Sequence, residues 1–128
     1  MPLLRRLCAA FLVSVLWILP ATGGELVMIQ RDGCHWCERW NEEIGHVYPK
    51  TAESRRAPLR RVNIEDLPDD ISFETRPVYT PTFVLVDGGE ELDRIEGYPG
   101  ADFFWPMLER MLDAHPDATV PRPAEPDS

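Results

Sequence analysis

The spacing of apolar and polar positions changes along this chain, and each change marks an element. Leu26-Val27-Met28-Ile29 is a short, unbroken apolar run followed by the turn signal Asp32-Gly33, which predicts a buried strand over 26–30. From Cys34 the period becomes helical. Cys37, Trp40, Ile44, Val47 and Tyr48 recur at steps of three and four, Glu38, Arg39, Glu42 and Glu43 occupy the other face, and Pro49 is expected to close the helix. A short second helical piece is predicted over 51–56, with Thr51 as a possible cap. Leu59 to Ile64 alternates and reads as a second strand, whereas Glu65 to Pro81 carries Pro68, Pro77 and Pro81 and has little periodicity. That stretch is expected to be irregular, with at most one short helix.

Thr82 to Val86 is the strongest strand signal, being β-branched and aromatic. Asp87-Gly88-Gly89 supplies a hairpin turn, and Glu91 to Glu96 returns as the antiparallel partner. After a bend at Gly97 to Gly100, Phe103, Phe104, Met107, Leu108, Met111 and Leu112 predict a terminal amphipathic helix. Pro106 is awkward there, lacking an N–H and crowding the preceding turn. Two solutions exist: a tight turn over 101–105 before a helix starting near Pro106, or one kinked helix. Residues 114–128, with Pro116, Pro121, Pro123 and Pro126 among small and acidic residues, are expected to form a disordered tail. No internal repeat is visible.

The N-terminus alters the picture of the compartment. Arg5 and Arg6 precede an apolar stretch from Leu7 to Leu19 and a small-residue site at Ala21-Thr22-Gly23, the layout of a cleaved signal peptide over 1–23. The apolar stretch falls short of the roughly 18 residues of a membrane span. Cys8 would be lost with this leader, and it lies too early in the apolar run for lipid attachment. The domain is then 24–113, small enough for one core, and export places it in an oxidising compartment. Its only cysteines are Cys34 and Cys37, so it is not a disulfide-stapled scaffold, and the pair reads as chemistry.

Charge narrows the partners. The formal net charge is −9, and it becomes more negative once Arg5 and Arg6 are removed. An acidic surface argues against nucleic acid or anionic lipid as partner. It fits a basic face on a partner protein, or simply solvated charge.

Cys34-His35-Trp36-Cys37 carries the chemistry. One helical turn places both sulfurs on one side within bonding reach, and the unsatisfied amides at the helix start stabilise a thiolate on Cys34. A zinc half-site is the alternative, but zinc commonly needs a second Cys/His pair, which the sequence lacks; two structural cysteines are another. Cys34 is the candidate nucleophile and Cys37, one turn deeper, the candidate resolving thiol. His35 either favours the Cys34 thiolate or is an exposed residue without a role. Trp36 is either a flat docking surface or a cap on the helix. Trp40 belongs to the apolar face. Phe103, Phe104 and Trp105 read mainly as core, with one of the three left free to face a partner. Thr80 and Pro81 can offer a backbone edge to an extended partner segment, or can be a plain edge position and strand-opening proline. His46 and His115 carry no argument for a site.

The order of elements, with Cys34-His35-Trp36-Cys37, Thr80-Pro81-Thr82-Phe83-Val84 and the bend at Gly97, resembles the thioredoxin-like family over most of the exported chain. The resemblance implies an α/β fold with a central mixed sheet of about four strands flanked by helices, here with a shortened or irregular middle helix. It also implies that Pro81 is cis and lies against the dithiol. Within that family, Asp32-Gly33-Cys34-His35-Trp36-Cys37-Glu38-Arg39-Trp40, Tyr48-Pro49, the run from Arg76 to Leu85 and the run from Glu96 through Phe103-Phe104-Trp105-Pro106 resemble the SoxS group. SoxS proteins are the small periplasmic thioredoxin-like proteins encoded with bacterial sulfur-oxidation systems. That resemblance implies a thiol–disulfide oxidoreductase with no cofactor beyond its Cys34–Cys37 disulfide. It implies reduction of a partner such as a sulfur-carrier protein, with a membrane thiol transporter as electron donor. A disulfide oxidant or isomerase, or a non-catalytic binding module, remain the competing readings. The chain departs from the wider family in two places. His35-Trp36 replaces Gly-Pro between the cysteines, and Met28 stands where many members bury an aspartate, with Glu38, close in sequence, or water as candidates to substitute.

Overall fold

Two strands form the centre because their sequences are apolar on both faces. The computed structural model describes residues 24–118, and the expected leader over 1–23, with Cys8, lies outside them. Strand β1 (Glu25–Gln30) pairs in parallel with β2 (Leu59–Asn63) and antiparallel with β3 (Thr82–Asp87), which pairs antiparallel with β4 (Glu90–Glu96). The sheet order is β2-β1-β3-β4. Alternation along β1 sends Leu26 and Met28 to one face and Val27 and Ile29 to the other, and β3 does the same with Phe83 and Leu85 against Val84 and Val86. Both faces must therefore be covered.

Helices cover the first face. Helix α1 (His35–Trp40) runs into a π-helical turn (Asn41–Gly45), followed by a 3-10 turn (Tyr48–Lys50) and helix α2 (Ala52–Arg56). Helix α3 (Ala101–Ala114) packs over the same face through Phe104, Leu108, Met111 and Leu112. Trp40, Phe83 and Phe104 meet at its centre, with ring centroids 5.2 Å apart for Trp40 and Phe83 and 4.9 Å for Phe83 and Phe104. Tyr48 is fully buried and donates its hydroxyl to the Ala57 carbonyl at 2.6 Å. Burial holds its phenol far above the usual range. Thr51 caps α2 as expected, accepting from the Ser54 amide at 3.1 Å.

The second face is covered without a helix. Ile64, Leu67, Ile71 and Phe73 of the β2–β3 connection pack on Val27, Ile29, Val84 and Val86. Side chains tie this irregular segment down. Arg60 grips Asp70 through two bonds of 2.8 and 2.9 Å. Arg94 donates to the Thr75 carbonyl at 2.7 Å and to Glu91, whose carboxylate also accepts from the Glu74 amide at 3.0 Å. The backbone of the segment passes close to the β3–β4 turn, where Ser72 donates to the Gly89 carbonyl at 2.7 Å. A Cβ at Gly89 would come within 2.6 Å of the Asp70 carbonyl oxygen, so only glycine fits.

Three expectations change in detail. The helix beginning after Cys34 does not run to Pro49; it widens into the π turn and ends at Gly45. Pro49 sits in the first turn of the 3-10 piece, where its missing N–H costs nothing. Of the two solutions at Pro106, the structure has a single helix over 101–114, with Pro106 on its exposed side. The carbonyl that Pro106 leaves unpaired there can be hydrated. Residues 114–118, assigned to a disordered tail, instead finish α3 and form a 3-10 turn (Pro116–Ala118). Ala118 is buried and accepts from the Gly24 amide, so backbone pairing to the start of the domain holds the chain here. Residues 119–128 lie outside the described ones.

Two outcomes test this packing. Phe104→Ala should cost about 3–5 kcal/mol in urea unfolding, whereas the neighbouring exposed Phe103→Ala should stay within about 0.5 kcal/mol. Hydrogen bonding from Arg60 holds Asp70 below its ordinary value of 3.8. A depressed carboxylate stabilises the fold above that ordinary value and loses its contribution as pH falls through the lower, folded one. Asp70→Asn should therefore be less stable than the parent at neutral pH, and the gap should close on acidification below 3.8 in pH-dependent denaturation.

Candidate active site

The register of the central strands decides which loops share an end of the sheet. Ile29 lies opposite Thr82, Gln30 lies beside Asn63, and the Gly97 amide donates to the Pro81 carbonyl at 2.7 Å. The segments 31–34, 64–66, 80–81 and 97–100 therefore all leave the sheet at the same end. Of the sequence-predicted candidates, Cys34, Thr80 and Pro81 lie in these segments, and His35, Trp36 and Cys37 follow directly in the first turn of α1.

Cys34 is placed by the turn before it. Gly33 has φ +72°, in the left-handed region that glycine enters without steric cost. The chain then extends at Cys34 (φ −80°, ψ 105°), which is the N-cap of α1. A capping residue usually offers an oxygen to the free amides of the first turn. Here the Cys34 sulfur accepts from the Cys37 N–H at 3.1 Å. The two cysteines are disulfide-bonded, with Cα atoms 5.2 Å apart. Their exposures differ: Cys34 is partly buried, while Cys37 is 3% exposed and belongs to the core cluster with Met28 and Trp40. Once the disulfide is opened, the amide that touches Cys34 favours negative charge on that sulfur and not on its partner.

The surroundings of the pair are partly apolar. Trp36 is 51% exposed, and its ring meets His35 edge-on with centroids 5.1 Å apart. Val78 and Tyr79, also exposed, lead into Thr80-Pro81, whose peptide bond is cis. The Thr82 hydroxyl donates to the Tyr79 carbonyl at 2.7 Å and shapes this approach. Phe103 is 66% exposed at the start of α3, while Phe104 is buried and Trp105 stacks on Tyr48. The expectation that one of these three aromatics stays free is met by Phe103. Glu38 is exposed on the face of α1 away from the core, so it does not replace the aspartate that Met28 displaces beside Cys37.

A polar group beside the site was not foreseen. His35, Glu38, Arg39, Glu42 and Glu43 line a shallow groove of about 320 Å³ along α1. Within it, Glu43 accepts from Arg39 Nε at 2.6 Å and from the Tyr98 hydroxyl at 2.7 Å. The Tyr98 bond and then the Arg39 bond hold the Glu43 carboxyl below its usual range. Burial and then the bond to Glu43 push the Tyr98 phenol up. The Arg39–Glu43 spacing of four is a helical ion-pair signal; Tyr98, 55 residues further on, gives none. Among the described residues no group of three or more His, Cys, Asp or Glu side chains is arranged to hold a metal ion. Nor is any described helix long and apolar enough to cross a membrane.

No protein-family model and no curated protein matches the chain. A solved structure does: the chain is similar to the periplasmic thioredoxin SoxS from Paracoccus pantotrophus, in its reduced form, with 46% identity and a TM-score of 0.68. The match covers 70% of this chain and 96% of that one. Identity at that level over nearly the whole relative agrees with the sheet order, the capped dithiol and the cis proline, and the chain belongs to the thioredoxin-like family of thiol–disulfide oxidoreductases.

Proposed function

We propose that this oxidoreductase works in the periplasm as a reductant, restoring a thiol on a partner protein such as the sulfur carrier of a sulfur-oxidation system. The observation that carries the direction is the similarity to the periplasmic thioredoxin SoxS. The geometry supports the roles. Cys34, capped by an amide and partly accessible, is the nucleophile; Cys37, buried one turn deeper, resolves.

The cycle balances without a cofactor. The Cys34 thiolate attacks one sulfur of the partner's disulfide, a mixed disulfide forms, and the other partner sulfur leaves as a thiolate. Cys37 loses its proton to solvent and attacks the Cys34 sulfur. The Cys34–Cys37 disulfide closes, and the second partner sulfur leaves. Two electrons reach the partner, whose thiolates take up protons from water. The oxidised pair is then reopened by the same exchange with a membrane thiol transporter as donor. In this reading Trp36 gives the partner a flat apolar contact, the backbone at Thr80 and Pro81 pairs with its extended segment, and His35 tunes the Cys34 sulfur. The acidic surface suits a partner with a basic face around its cysteine.

Trapping tests the proposal. Cys37→Ser, expressed in the native compartment, should accumulate mixed disulfides through Cys34, identified by mass spectrometry, with a sulfur-carrier subunit among them. Cys34→Ser should trap none and should lower insulin reduction to the uncatalysed rate. Recovery of unrelated exported folding clients alone would identify an oxidant or isomerase. Full function of Cys34→Ser would identify a binding module.

A further inference from the structure

Helix α1 holds both sulfurs, yet it is short, and its regular part gives way to a π turn at Asn41. A helix of this length has no stability of its own and takes its position from what it packs against. Cys37, Trp40 and Ile44 bury its inner face. Its flanks are set by two polar ties. On one side Arg61 of β2 donates to the Asn41 side chain at 2.8 Å. On the other side the Tyr98 hydroxyl donates to Glu43 at 2.7 Å, and Arg39 fills the second carboxylate oxygen at 2.6 Å.

The second tie reaches further than the first. Tyr98 follows Gly97, whose amide holds the Pro81 carbonyl at 2.7 Å. A continuous path of bonds thus runs from the dithiol helix through Glu43 and Tyr98 to the cis Thr80–Pro81 segment. Packing alone does not need the hydroxyl: the Tyr98 ring already lies against Phe104, 6.0 Å between centroids, and a phenylalanine would fill the same space. The hydroxyl is used only to join the bend to the helix.

We infer that Tyr98 and Glu43 are positioning residues for disulfide exchange, fixing the Thr80–Pro81 backbone relative to Cys34 so that a protein substrate's sulfur is presented to it. The inference rests on the reductase reading above. A protein disulfide must be held in line with the attacking sulfur, and misplacement by an ångström can cost up to about a hundredfold in rate. A small disulfide diffuses to Cys34 unaided, so its rate reports the sulfur alone.

The two substrates separate the roles. In the full chain, Tyr98→Phe and Glu43→Ala should each lower kcat/KM for insulin about tenfold. Both should leave the reaction of the reduced protein with a small aromatic disulfide unchanged. Glu43→Gln, which still accepts from the Tyr98 hydroxyl, should restore insulin reduction. The double variant Tyr98→Phe/Glu43→Ala should be no slower than Glu43→Ala, because that single variant has already lost the Tyr98–Glu43 bond. Hydrogen exchange of the Gly97 amide should quicken in Tyr98→Phe. Equal losses on both substrates, or no loss on either, would overturn the inference while the parent chain still reduces insulin. A folded parent chain that reduces neither substrate would overturn the reductase reading and this inference with it.

Discussion

Because Ile29 of β1 faces Thr82 of β3 in an antiparallel ladder, the chain leaving β1 and the chain entering β3 meet at one end of the sheet. Cys34 and Pro81 lie far apart in sequence and on different elements, and this register brings them to the same end of the sheet. The register is strongly specified. A slip by one residue would turn Leu26, Met28, Phe83 and Leu85 toward the irregular cover and expel them from the aromatic cluster under α1 and α3. The same ladder that buries the core thus aligns the site. Packing and chemistry depend on one set of contacts.

That central pair is apolar on both faces, and the chain has helices for only one. The β2–β3 connection solves the other face with few apolar side chains and many tethers, Arg60 to Asp70, Arg94 to Thr75 and Glu91 to Glu74 among them. A helix satisfies its own backbone, whereas an irregular segment must find partners elsewhere. The Glu91 carboxylate, almost wholly buried, and the Arg94 guanidinium supply them. Exposed ion pairs contribute little, but a buried one that also caps backbone groups constrains a segment that has no periodicity of its own.

What could be read from the sequence follows from how local each cause is. The strands, the hairpin turn and the terminal helix were legible because their signals lie within a few residues. The capped C-x-x-C was legible for the same reason, as was a single exposed aromatic in Phe103-Phe104-Trp105. The role of 64–81 as a cover was not, because Ile64, Leu67, Ile71 and Phe73 follow neither a helical nor a strand period. The π turn escaped notice because Cys37, Trp40, Ile44 and Tyr48 fit a continuous helix nearly as well. Ala118 seemed to belong to a proline-rich tail, and only its pairing with Gly24 shows that it closes the domain. The Glu43–Tyr98 bond joins residues 55 apart, and no local pattern announces it.

The asymmetry between the two sulfurs ties these layers together. Cys34 meets an amide and is partly open, while Cys37 meets Met28 and Trp40 in a core that offers it no carboxylate. Apolar surroundings disfavour charge and an amide donor favours it, so the two positions are electrostatically unlike. In the proposed cycle, attack begins at the accessible sulfur, and release waits on proton loss from the buried one. With Met28 in the core beside Cys37 and Glu38 facing solvent, the proton that Cys37 loses in that cycle would pass to water on the partly open side, at Cys34. Under that proposal, resolution is coupled to how the partner sits on Trp36 and Thr80-Pro81, so the loops at this end of the sheet would govern both the capture of a substrate and its release.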